Sequence, residues 1–160
     1  MVHSSLLLMR PSERASEQIL FCGFGKVSEA CALLRVQRKL QLDQLSALTD
    51  SVPRYDSARV LGVDTIQVAT LTAASIVAHA RLKTSHVIIE IDDDARLVRM
   101  LLALKPQSSN MKITAVAADP DVSRTLTVHG LSEVVCIAQL NGQLLAQTVL
   151  QPQARLRSLS

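Results

Sequence analysis

Short apolar runs and one-faced helical stripes alternate along the middle of the chain. Gln18 to Cys22 (QILFC) is an apolar run closed by Gly23, the pattern of a strand buried on both faces. After Gly25 the period changes. Val27, Ala30, Cys31 and Leu34 recur at i, i+3, i+4 and i+7, one face of a helix. A second strand is predicted over Gln44 to Thr49, then a turn at Ser51-Val52-Pro53 and a short helix over Tyr55 to Leu61, ended by Gly62. Thr65 to Val68 reads as a third strand. Thr72 is placed to cap a helix over Ala73 to Leu82. His86 to Ile91 (HVIIEI) is the clearest strand, rich in β-branched residues. A helix over Asp94 to Leu104 follows, with Leu97, Val98, Leu101 and Leu102 in its stripe; Pro106 and Ser108-Ser109-Asn110 break it. Lys112 to Ala117 is a fifth strand. Pro120 opens a helix to His129, with Gly130 past its end. Glu133 to Ala138 is a sixth strand, and Asn141 is a candidate cap for a last helix over Gly142 to Leu150.

Strands separated by helices pair in parallel through right-handed crossovers. Apolar strands require helices on both sheet faces, so the pattern predicts a doubly wound, mostly parallel α/β sheet of six strands. The 160 residues suit one domain, placed at residues 18–150, with a flexible leader at 1–17 and a tail or linker at 151–160. Hydrophobic residues make up 48% of the chain, enough for a full core. No apolar run approaches the roughly 20 residues of a membrane span; the densest, Leu97 to Leu104, is interrupted by Arg99.

Composition also narrows the chemistry. One Tyr, two Phe and no Trp leave no stacking platform for single-stranded nucleic acid. The net charge of +3 is small, and removing the flanks that hold Arg10, Arg14, Arg155 and Arg157 would erase most of it, which argues against a nucleic-acid partner. Cys22, Cys31 and Cys136 are odd in number and widely spaced, as expected of buried thiols in a reducing cytosol. His3, His79, His86 and His129 show no zinc-binding spacing, and no metal site is expected.

The candidate chemistry lies at the first strand-to-helix turn. Gly23-Phe24-Gly25-Lys26-Val27-Ser28 follows the first strand and opens the first helix. In a GxGxxG fingerprint the first glycine allows the turn, the second lets the backbone approach a pyrophosphate, and the third permits close helix packing. Ser28 stands at the third position. Free N–H groups at the helix start favour an anion, and Lys26 adds a cation. Asp50, at the end of the second strand, fits the acid that holds a ribose, though further from Gly23 than the usual ~20 residues. An Asx turn with Ser51-Val52 is its structural alternative. Asp92-Asp93-Asp94 reads foremost as a helix cap, with a cation site or a subunit contact as alternatives. Glu90, inside an apolar strand, needs a partner if buried, or else faces outward near a sheet edge or a dimer seam.

ILFCGFGKVSEA, HVIIEIDDDARLVRMLLAL, KITAVAADPD and GLSEVVCIAQLNGQLLA occur in this order between Gln18 and Leu150. The series resembles the N-terminal, TrkA-N-like Rossmann subdomain of RCK domains, the regulators of potassium conductance. The resemblance implies a Rossmann-like cytosolic regulatory domain of a potassium, or other cation, channel or transporter, tethered at the inner face of the cell membrane. It implies gating by NAD(H), ADP, ATP or AMP, and self-association into dimers or rings. Phosphate contacts would fall on Gly23, Phe24, Gly25, Lys26, Val27 and Ser28, and the ribose on Asp50. Three positions depart from the family: Ser28, Ala69-Thr70 where a Gly-Asp pair is usual, and Thr114 to Ala117 where an arginine is frequent. These departures imply an altered or lost nucleotide preference, so a nucleotide-free assembly module is the alternative. An oxidoreductase fragment ranks lower, because no Tyr-x-x-x-Lys pair and no second substrate-holding region are present; the chain reads as a non-enzyme.

Overall fold

A computed structural model of the chain describes residues 18–37, 44–80, 84–107, 111–130 and 133–157, with residues 151–157 by backbone alone. The leader at 1–17, Leu82 and Ser108-Ser109-Asn110 lie outside the described residues. Among those described, β1 (Gln18–Cys22), α1 (Lys26–Gln37), β2 (Leu45–Thr49), α2 (Val52–Val60), β3 (Asp64–Gln67), α3 (Ala73–His79), β4 (Thr84–Glu90), α4 (Asp94–Leu104), β5 (Lys112–Ala117), α5 (Pro120–Val128), β6 (Glu133–Cys136) and α6 (Ile137–Arg157) succeed one another. A 3-10 turn at Lys105–Gln107 extends α4. The strands form one sheet in the order β3-β2-β1-β4-β5-β6. Every neighbouring pair is parallel. This is the doubly wound Rossmann-like sheet that the strand–helix alternation predicts.

Strand alternation splits the core between the two faces. Leu20 and Cys22 of β1 join Val87 and Ile89 of β4 under Ile76 of α3, Leu97, Met100, Leu101 and Leu104 of α4, and Leu126 of α5. Ile19 and Phe21 face the other way, with Phe24, Ala32 of α1, Ala58 of α2 and Ile88. Fully burying one such side chain contributes about 1.5–3 kcal/mol. The helix starts are fixed by short polar side chains. Thr72 and Ser75 bond reciprocally across the first turn of α3. The Asp93 carboxylate accepts from the amides of Ala95 (2.9 Å) and Arg96 (3.2 Å) at α4. Asp119 accepts from Asp121 N–H (2.8 Å) at α5.

Three expectations need correction. α2 starts at Val52, not Tyr55, with Pro53 in its first turn, where its fixed φ suits a helix and its missing N–H costs nothing. α6 starts at Ile137 and runs to Arg157, so Asn141 caps nothing and Leu150 is not its end. The strand turns directly into the helix, and Asn141 and Gly142 sit inside it at a propensity cost of only about 1 kcal/mol each or less. Finally, Cys22 and Cys136 are buried, but Cys31 is half-buried on α1. Burial pushes the Cys22 thiol well above its ordinary pKa, which leaves it an inert core thiol.

Candidate functional site

β1 and β4 are neighbours, yet the chain leaves β1 toward β2 and returns to β4 on the opposite side. Such a reversal opens a crevice beyond the carboxyl ends of the two strands, where ligands of open α/β sheets bind. Gly23 ends β1 in that crevice, and Glu90 ends β4 beside it.

Gly23 has φ +95°, a left-handed conformation that favours glycine. A Cβ there would also collide with the backbone carbonyl of Glu90. Its N–H donates to Leu48 O (2.8 Å), which ties the turn to β2. Phe24, at φ +48°, is a non-glycine residue in the left-handed region. Its ring is 2% exposed and stands edge-on to Phe21 with centroids 5.5 Å apart. Core packing of that ring holds the backbone in an unfavourable region.

The amides that open α1 are engaged. Val27 N–H donates to Glu90 Oε1 (3.1 Å) and Ser28 N–H to Glu90 Oε2 (2.7 Å). The Ser28 hydroxyl donates to the same Oε2 (2.7 Å). Glu90 is 7% exposed and Ser28 is fully buried. A Cβ on Gly25 would fall 2.5 Å from the Glu90 carboxyl carbon. The second glycine therefore admits a carboxylate at the approach that the fingerprint reserves for pyrophosphate. Glu90 is corrected from an outward-facing or edge residue to a buried one in a central strand. Its partner is the positive end of a helix, which compensates the desolvation of its charge.

Two arginines close the mouth of the crevice. Arg54 donates from Nη1 to Gly23 O (3.2 Å) and Glu90 O (3.1 Å), and from Nη2 to Asp92. Arg96 donates from Nη2 to Asp50 Oδ2 (2.6 Å) and Leu71 O (2.8 Å). Asp50 also accepts from Leu71 N–H (2.9 Å). The Asp50 carboxylate thus reaches across to Leu71 and Arg96 rather than making the alternative Asx turn with Ser51-Val52, and Ser51 N–H bonds Thr49 Oγ1 (3.1 Å). Partial burial pulls the Asp50 pKa up, but the Leu71 amide and the Arg96 guanidinium outweigh it and hold the carboxyl below its ordinary value.

Gly23, Gly25, Val27 and Ser28 thus converge on one point, and that point is taken by Glu90. Lys26 lies outside it, 90% exposed and paired with Glu29 (3.0 Å). Asp50 is held by Arg96 rather than standing free. The acidic run is divided: Asp92 pairs with Arg54, Asp93 caps α4, and Asp94 accepts from the amides of Ala118 (3.3 Å) and Asp119 (3.0 Å). Among the described residues no group of three His, Cys, Asp or Glu side chains is arranged to hold a metal. Sequence reasoning missed Arg54 and Arg96 altogether. It noted Ser28 and Glu90 separately without joining them.

The fold is that of a TrkA-N-like Rossmann domain. The TrkA-N domain of the inner membrane protein ybaL from Escherichia coli superposes with a TM-score of 0.65 at 19% identity, covering 83% of this chain and 96% of that one. The NAD(P)-binding domain of an exopolyphosphatase-related protein from Archaeoglobus fulgidus superposes with a TM-score of 0.68 at 15% identity, over 84% and 98% of the two chains. GsuK bound to ADP gives 0.63 at 21% identity, over 83% of this chain but only 34% of GsuK. No protein-family model and no curated protein matches the sequence. Among the described residues no helix is long and apolar enough to cross a membrane.

Proposed function

We propose that this chain is a regulatory domain of a cation channel or transporter, with potassium the favoured ion, and that it works by self-association at the inner face of the membrane. The TrkA-N-like fold supports the class. The observation that carries the mode of action is α6. From Ile137 to Gln153 this helix has no charged residue. Ile137 packs on the core, but Leu140, Leu144, Leu145, Val149 and Leu150 are all exposed. Exposed apolar side chains gathered on one helix mark an interaction surface. Burial against a second copy covers it, and an apolar stripe of this size is a normal subunit contact.

The crevice supports assembly without nucleotide. A pyrophosphate would need the amides that Glu90 already holds, and its charge would be repelled by that carboxylate. A second reading, gating by an adenine nucleotide that displaces Glu90, is favoured by the likeness to an ADP-bound structure.

Rubidium uptake by cells tests the class. Deleting the gene should alter uptake; wild type should restore it, and a Leu144→Asp/Leu145→Asp variant should not. Uptake indifferent to the deletion would contradict the proposal.

A further inference from the structure

We propose that Glu90 is a built-in ligand of the nucleotide-type crevice: its carboxylate occupies the phosphate position at the start of α1, and Arg54 clasps the mouth over it. Four observations converge on this. The carboxylate accepts from both α1 amides, Val27 and Ser28, and from the Ser28 hydroxyl. Gly25 leaves room for that carboxylate and for nothing larger than hydrogen on its own Cα. Ser28 replaces the small, donor-free residue of the fingerprint with a third donor aimed at the same oxygen. Arg54 then bonds the Gly23 and Glu90 carbonyls and the Asp92 carboxylate, bridging the ends of β1 and β4.

A carboxylate and a phosphate oxygen use the same donors in the same way, through short charge-assisted bonds helped by the helix dipole. An exogenous anion must therefore displace a ligand that is covalently part of the chain and always present at high effective concentration. The glycine turn keeps its anion-binding shape while the anion comes from β4. The device is an internal occlusion of the crevice, and it holds whether the domain serves a channel, a transporter or another partner.

The test uses the full chain and three probes: sodium pyrophosphate, ADP and NADH. Calorimetric titration of wild type should detect none of them at millimolar concentration. Glu90→Ala removes the carboxylate but leaves both amides and Ser28. It should bind pyrophosphate or ADP at least tenfold more tightly than wild type. Wild type binding a probe as tightly as Glu90→Ala would overturn the proposal, as would a folded Glu90→Ala that binds none.

If Glu90→Ala does not fold, amide NMR of wild type decides. Val27 and Ser28 signals that stay fixed on addition of ADP and NADH support occlusion; signals that shift with saturation overturn it. Oligomeric state is not read in either arm, so this idea and the assembly reading fail separately.

Discussion

Ser28 and Glu90 carry the chemistry at the smallest scale. Glu90 ends β4 after three apolar residues, and three donors meet its buried carboxylate. Glu90→Gln keeps the size but sets an amide group against N–H donors. It should cost about 2–3 kcal/mol, since hydrogen bonds to a charged group are strong and a stranded buried donor is expensive. Urea denaturation of both proteins measures this, and equal midpoints would count against the buried bonds. Asp50 makes a pH-dependent contribution. Its folded pKa lies below the ordinary value of 3.8. Its stabilisation is therefore full above that value and is lost as pH falls through the lowered folded pKa. Asp50→Asn should be less stable at neutral pH and should lose less on acidification below about pH 4. Thermal melts across that range check it. Both residues stood out in the sequence, one as a carboxylate among β-branched neighbours, the other as an acid ending a strand. Their partners did not, because Ser28 lies 62 positions from Glu90 and Arg96 lies 46 from Asp50. Only the adjacency of β1 and β4 joins the first pair.

Elements were legible where a cap and a stripe coincide. α4 has both: Asp93 before it and Leu97 and Leu101 along it, and its bounds match the sequence pattern, but Leu102 of the expected stripe is exposed while Met100 and Leu104 are buried. Asp93→Ala should cost about 1 kcal/mol through the lost cap. Leu101→Ala should cost about 2–5 kcal/mol through the cavity it leaves. Comparable losses from the two variants would show that α4 is held by its cap rather than by its buried face. α6 was misread because its sequence offers no cap that matters and no stripe that packs on its own sheet. Asn141 looked like a boundary only because polar residues before an apolar run usually are one. The glycine turn was legible as an anion-binding geometry, whereas the identity of the anion depended on a strand end far along the chain.

At the scale of the molecule, the sheet order and parallel pairing bring the ends of β1 and β4 together at the crevice, whereas the exposed apolar residues of α6 take no part in its hydrogen bonds. The two proposed roles are separate: an occluded crevice within the fold, and an apolar helix that joins subunits. Sedimentation velocity of the full chain, with and without ADP and NADH, tests that separation most directly. A dimer or larger ring is expected in both conditions, unchanged by nucleotide and dissociated by Leu144→Asp/Leu145→Asp. A monomer that associates only when nucleotide is added would contradict it.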